Sequence, residues 1–355
     1  MSPCRKPGGA PSTPPLRLRL DGDALLSNWR WLARQGGAPA CGAAIKADGY
    51  GLGAAGVMQR LKSAGCRDFF VSNWGEAAAL EAQMDGVNFA VLHGVRDEDM
   101  AQALASRARP VLCTPGQVAR WKAAGGGACD LMIDTGMNRL GLDWRADLSE
   151  LVDGLEIVTL LSHLASADED SDLNPTQLAR FRDVRAAVPA QRYSLANSAG
   201  ICMGADYGFD LTRPGVALYG GVPHPDAAPH LRPVVQPQAQ ILQRRAVIAG
   251  DTIGYNATHR AERDLEIAIL NIGYADGYLR GFSGRGAALV DGIRLPVLGR
   301  VSMDLLAVDV GARPDVAEGD WLTIDYDLPQ AAQASGLSQY ELLTGLGKRF
   351  DRIWA

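Results

Sequence analysis

Short apolar runs alternate with amphipathic stretches over the first two-thirds of the chain. The runs predict strands near 41–46, 69–72, 88–92, 109–113, 130–133, 156–162, 193–196 and 213–217. Between them lie helical patterns such as Ala54–Ala64, Gly75–Ala82, Pro115–Ala123 and Pro175–Ala187. Continuous apolar strands joined by helices imply a parallel sheet covered on both faces. Eight of them in succession imply a closed (β/α)8 TIM-type barrel. The open doubly wound sheet is the rival, but no G-x-G-x-x-G opens a helix after a first strand. Leu16–Leu20 and Asp23–Ala33 read as an extra strand and helix ahead of the barrel.

The texture changes near residue 230. Pro223–Pro237 holds five prolines without periodicity and reads as a linker. Beyond it come alternating strands at Gln238–Ala249, Leu265–Ile272, Ala287–Val301, Leu305–Val310 and Trp321–Ile324. Asp291-Gly292, between Ala288-Leu289-Val290 and Ile293-Arg294-Leu295, is a two-residue hairpin signal. A helix over Ser338–Gly345 is expected to close this part. The expectation is therefore an α/β chain with a disordered tail over 1–15, a barrel over 16–230 and a mostly-β domain over 231–355, which Leu16–Leu20 could join. The tail is rich in proline and glycine, which bury little surface.

Composition narrows the function classes. A net charge of −5 leaves no basic stripe for nucleic acid, and no apolar run approaches the ~18–20 residues of a membrane span. The N-terminal segment has basic residues but no apolar core of a signal peptide. Cys4, Cys41, Cys66, Cys113, Cys129 and Cys202 are scattered, mostly in apolar runs, which fits reduced thiols and a cytoplasmic protein. No metal is expected, because His93, His224, His230 and His259 match no ligand spacing. The acidic run Asp168–Asp172 reads as a solvated loop. Trp29 and Trp31 are expected to pack against the second domain.

Barrel chemistry sits at the carboxyl ends of the strands. That rule singles out Lys46, Arg139, His163, Asn197-Ser198 and Arg213. Lys46 ends a buried-looking strand and is followed at once by Tyr50 and three glycines. A lysine there serves either as an ion-pair partner or as a nucleophilic amine whose basicity is lowered by burial. The residue pattern alone leaves both uses open.

Eight segments, in order and across both predicted domains, resemble the alanine racemase family. They are Ala44–Gly53, Asp134–Gly141, Ser162–Glu169, Leu195–Ser198, Arg213–Gly220, Gly254–Thr258, Ile272–Gly277 and Gly299–Asp304. The resemblance implies a fold-type III enzyme carrying pyridoxal 5′-phosphate as an imine on Lys46. The cofactor delocalises a carbanion at the substrate's α-carbon. It implies that Lys46 and Tyr255 are the two acid/base groups on opposite faces, Tyr255 coming from the partner subunit of a homodimer. His163 would relay between Tyr255 and Arg213, and Arg213 would face the pyridine nitrogen, unable to accept its proton. Tyr50, Asn197, Ser198 and the backbone of Gly215 and Val216 would form the cofactor and phosphate site. Arg139 would contact the cofactor phenolate and the substrate carboxylate, Tyr274 would narrow the entrance, and Met303 of the second subunit would hold the carboxylate. The implied activity is interconversion of L- and D-alanine, supplying D-alanine for peptidoglycan.

Two positions depart from the family pattern. Many members carry a lysine, often carbamylated, where Met132 stands, and a tyrosine where Lys348 stands. Lys348 would bring a cation to the phosphate. These changes keep open a racemase of broader specificity, for instance toward serine. The non-enzyme rival, a pyridoxal-phosphate carrier with the barrel alone, is disfavoured by the β domain with its own motifs. The rival enzyme is a fold-type III decarboxylase. It would need a glutamate in place of Arg213 and a cysteine within Ser302-Met303-Asp304.

Overall fold

The computed structural model describes residues 14–355; the expected tail lies, for residues 1–13, outside them. The described chain forms two compact units. One comprises Asp21–Val235 with Gln339–Thr344, and the other the remaining segments, Gln236–Ser338, Gly345–Ala355 and the chain up to Leu20.

The first unit is built on parallel strands. Ala43–Ala44, Asp68–Val71, Asn88–Val91, Arg109–Leu112, Cys129–Asp134, Ile157–Leu161 and Arg192–Ser194 pair in that order. Leu211–Thr212 pairs with Ala40–Cys41 in parallel, and on its other side Arg213 N–H donates to Ala196 O at 2.9 Å. Eight strand positions thus close into a ring. Helices cover it outside: Gly22–Gln35, Ala54–Ser63, Trp74–Leu80, Pro115–Ala123 and Leu173–Ala187. The strands are buried along nearly their whole length, as expected for a sheet packed on both faces. Phe70, Ala90, Val111, Cys113, Met132, Leu161 and Leu211 fill one cluster of its core.

The second unit is antiparallel. Strands Leu265–Leu270, Leu306–Asp309, Ile293–Leu298, Ala287–Val290, Trp321–Ile324 and Val235–Val247 are neighbours in that order, and the last also pairs with the first. The 13-residue strand Val235–Val247 can serve both ends because a bulge between Ile241 and Gln243 bends it. Asp291 (φ 49°) and Gly292 (φ 80°) make the expected tight turn.

Leu16–Leu20, left open between the two parts by the sequence, lies in this second unit, parallel to the last strand Asp351–Trp354. Other expectations are corrected. The helix expected to close the β domain, observed over Gln339–Thr344, groups instead with the barrel unit. The last barrel strand stops at Thr212 rather than running over 213–217, because Pro214 has no N–H to continue the ladder and Val216–Tyr219 coils into a 3-10 turn. Trp29 and Trp31 pack within the barrel unit. The Trp29 indole donates to Cys41 O at 3.2 Å, and Trp31 stacks on His230.

Candidate active site

The carboxyl ends of the barrel strands surround a cavity of about 570 Å³, a size suited to a cofactor-sized ligand. Its lining brings together Lys46, Tyr50, Arg139, His163, Asn197, Ser198, Arg213, Gly215 and Val216 from segments far apart in the chain.

Lys46 follows the strand end at Ala44 and opens a turn with an unusual backbone. Ala47, Asp48, Gly49 and Tyr50 all have positive φ, from 52° to 63°. A run of left-handed residues is costly for L-amino acids and persists only where its surroundings over-determine it. Here Gly49 N–H donates to Ile45 O and Gly51 N–H to Ala47 O, both at 2.8 Å. The Asp48 carboxylate accepts from Ala54 N–H at 2.9 Å, fastening the turn to the next helix. The Lys46 amine is held below the ordinary lysine range, mainly by burial and then by the Arg139 charge; Glu76 opposes the fall and Arg213 adds to it. A larger neutral fraction is what a nucleophilic amine requires.

Arg213 is buried at the end of the last strand. One terminal nitrogen donates to Ser162 O at 2.6 Å and the other to the Ser194 hydroxyl, while Nε has no partner among the described residues. Burial lowers its pKa to about 10, partly offset by Asp130, so it stays charged at neutral pH. His163 is desolvated and faces Arg213, Arg139 and Lys46. Burial and these three cations push its pKa down to about 3, so the imidazole is neutral. Its loop is anchored by Gln177, whose amide donates to His163 O at 3.0 Å and to Thr135 Oγ1 at 3.1 Å.

Arg139 is exposed at the cavity rim, and its guanidinium has no partner among the described residues. Its backbone is fixed, because Asp134 accepts from the N–H groups of Gly136, Met137, Asn138 and Arg139 at 2.8–3.1 Å. Burial works against the Asp134 charge, but these four donors outweigh it and hold the carboxyl below its usual range. Met132, where the resemblance places a lysine, is buried among apolar side chains and lines the cavity as a hydrophobic wall.

A small anion cradle lies where the Ser198–Cys202 helix meets Gly215. The Ser198 hydroxyl accepts from Gly215 N–H at 2.8 Å and Ala217 N–H at 3.3 Å. Its own proton is therefore free for a ligand. Gly215 N–H is already engaged, and Val216 N–H has no partner among the described residues. A Cβ on Gly215 would lie 2.2 Å from the Tyr50 hydroxyl, so only glycine lets that phenol reach the cradle. Tyr50 is braced by stacking on Tyr219 at 4.7 Å, and Tyr219 donates to Ala44 O at 2.9 Å. These donors, the cation of Arg213 and the amine of Lys46 fit a phosphorylated aldehyde.

Sequence reasoning missed several lining residues. Phe70 and Leu92 are apolar strand-end positions that read as core. His93, set aside as an ordinary loop histidine, and Asp168, set aside in a solvated loop, both line the cavity. So do Tyr340 and Thr344, which no spacing signal links to residues three hundred positions earlier.

The other expected site residues belong to the β unit. Tyr255 is 64% exposed on a turn closed by the short ladder of Thr252–Ile253 with His259–Arg260. Met303 is 53% exposed. The turn of Tyr274 is tied to the Met303 loop, since Tyr274 N–H donates to Ser302 O and Ala275 N–H to Met303 O, both at 3.0 Å. Arg349 clamps the same region, donating to buried Asp276 at 2.6 and 2.8 Å and to Asp304 at 2.7 Å. Lys348 is exposed beside it.

A closed parallel barrel with a weakly basic strand-end lysine, an anion cradle and a buried arginine around one cavity defines a barrel enzyme equipped for amine–carbonyl chemistry. Residues 20–223 match the alanine racemase N-terminal domain and residues 234–354 the alanine racemase C-terminal domain. The chain belongs to the alanine racemase family. It is 42% identical over 350 residues to alanine racemase of Acidiphilium cryptum, covering 95% of this chain and 98% of the relative. It is 40% identical over 364 residues to the biosynthetic alanine racemase of Agrobacterium fabrum, covering 95% and 93%. The crystal structure of alanine racemase from Bartonella henselae with covalently bound pyridoxal phosphate aligns with a TM-score of 0.88 at 36% identity, covering 97% of this chain and all of that one.

Proposed function

We propose that this chain interconverts L- and D-alanine with pyridoxal 5′-phosphate held covalently on Lys46, Tyr255 of a second subunit serving as the opposing acid/base. The observation that carries the reading is the Lys46 amine, made less basic by burial and by Arg139 and sharing one barrel cavity with the Tyr50–Ser198–Val216 cradle. When bound, the cofactor supplies the electron sink that stabilises negative charge on the α-carbon.

Tyr50, Asn197, Ser198 and Val216 hold the phosphate end, and Gly215 makes room there for the Tyr50 phenol while its own N–H stays on Ser198. Arg213 stays protonated and donates without being able to accept. Arg139, its guanidinium unengaged, receives the substrate carboxylate. Lys46 takes or returns a proton on one face of the α-carbon, and Tyr255 does so on the other. Two bases are needed because one group can return a proton only to the side from which it took it. Neutral His163 accepts and passes a hydrogen bond between Tyr255 and Arg213. Tyr274 and Met303 shape the substrate end, and Lys348 lends positive charge near the phosphate.

The exposure of Tyr255 and Met303, both on the unit that does not hold the cavity residues, is in keeping with a homodimer with shared sites. A cytoplasmic location and the supply of D-alanine to peptidoglycan belong to the same reading. Cys41, Cys66, Cys113, Cys129 and Cys202 are free thiols, which is in keeping with a reducing compartment. No described helix is long and apolar enough to cross a membrane.

Borohydride treatment of the purified protein should fix the cofactor on Lys46 and abolish racemisation. Recovery of the label on another lysine would overturn the assignment.

A further inference from the structure

Glu76, in the first turn of the helix Trp74–Leu80, was not singled out by the sequence, yet it touches the segment that presents Lys46. One carboxylate oxygen accepts from Ala47 N–H at 2.8 Å, the residue next to the lysine. The other accepts from Ser72 N–H at 2.8 Å, just past the neighbouring strand Asp68–Val71. The helix start is itself fixed, because the Asn73 side chain accepts from Glu76 N–H at 3.0 Å. A single carboxylate therefore bridges two adjacent strand ends, at the first residue of the left-handed run.

We propose that Glu76 is a positioning residue for Lys46: its carboxylate pins the strained turn to the next strand and places a negative charge beside the amine. The proposal rests on the reading of Lys46 as the cofactor-bearing residue. Two reasons support it. Charged acceptors make the stronger hydrogen bonds to backbone N–H groups, and a run of four left-handed residues needs such anchors. The amine also faces Arg139, Arg213 and His163, and Glu76 is the one group among those acting on it that favours the ammonium form. Without it, two arginines would act on the lysine unopposed.

The test uses the full chain, freed of cofactor with hydroxylamine, and follows acetylation of Lys46 by acetic anhydride across pH with peptide mass spectrometry. Lys62 and Lys122, which donate to backbone carbonyls well away from this turn, are internal references. In Glu76→Gln the Lys46 profile should move to lower pH, with labelling about two- to fivefold faster at neutral pH and the references unchanged. Glu76→Asp keeps the charge but withdraws the carboxylate by one methylene, and it should shift the profile in the same direction by less. If Glu76→Gln does not fold, the Glu76→Asp profile decides alone. A Lys46 profile that stays with the references in the folded variants overturns the proposal. This readout needs no cofactor, so it separates failure of the Glu76 role from failure of the borohydride assignment.

Discussion

The basicity of single groups around the cavity is set first by burial and then by the charges they face. Burial is the largest cause of the lowered proton affinity of Lys46, His163 and Arg213. Arg139 and Arg213 lower it further at Lys46 and His163, Lys46 does so at His163, and Asp130 opposes the fall at Arg213. For His163 this has a consequence for stability. Its folded-state pKa of about 3 lies below the ordinary 6.5, so on acidification the unfolded chain takes up a proton before the folded one does. Stability is therefore lost as pH falls through that window. His163→Gln should lose less stability than the unmutated chain between about pH 7 and pH 4, measured by urea unfolding at both ends. Equal losses would contradict the buried neutral imidazole. At this scale the sequence identified Lys46, Arg139, His163 and Arg213 by the simple rule that barrel chemistry sits at strand ends. It missed Glu76 and Asp134, whose roles are hydrogen bonds to backbone groups that no residue pattern reports.

Among the elements, the turn after the first strand and the cradle at Gly215 are the most constrained. The cradle works because backbone and phenol approach more closely than any side chain would permit. Gly215→Ala should displace the Tyr50 hydroxyl and weaken cofactor retention on the order of tenfold or more, followed by release on dialysis. Retention equal to that of the unmutated protein would show that the phenol plays no part in holding the phosphate. Most strands and helices were legible from apolar runs and 3.6-residue periodicity, Pro115–Ala123 to the residue. The errors cluster where local chemistry overrides the pattern. Val216 and Ala217 look like strand, but after Pro214 and Gly215 the backbone turns to 3-10 geometry.

For the molecule as a whole, two units with separate cores carry separate parts of the expected chemistry: the cofactor residues in the barrel, Tyr255 and Met303 in the β unit. If each site borrows Tyr255 from a partner, Lys46→Ala and Tyr255→Ala are individually inactive. Refolded together, they should recover about a quarter of the unmutated rate, because random pairing makes half the dimers mixed and each mixed dimer has one intact site. No recovery, with mixed dimers verified by mass, would place both groups in the same subunit's site. The sequence by itself determined the barrel, the β domain, the hairpin at Asp291-Gly292 and the family, since these rest on periodicity, turn chemistry and contiguous motifs. Only the tertiary structure decided that Leu16–Leu20 joins the β unit, that Gln339–Thr344 brings Tyr340 to the cavity, and that Glu76 braces the lysine turn. Those are meetings between residues distant in the chain. What brings them together is the closure of sheets and the pairing of buried polar groups, neither of which leaves a local trace.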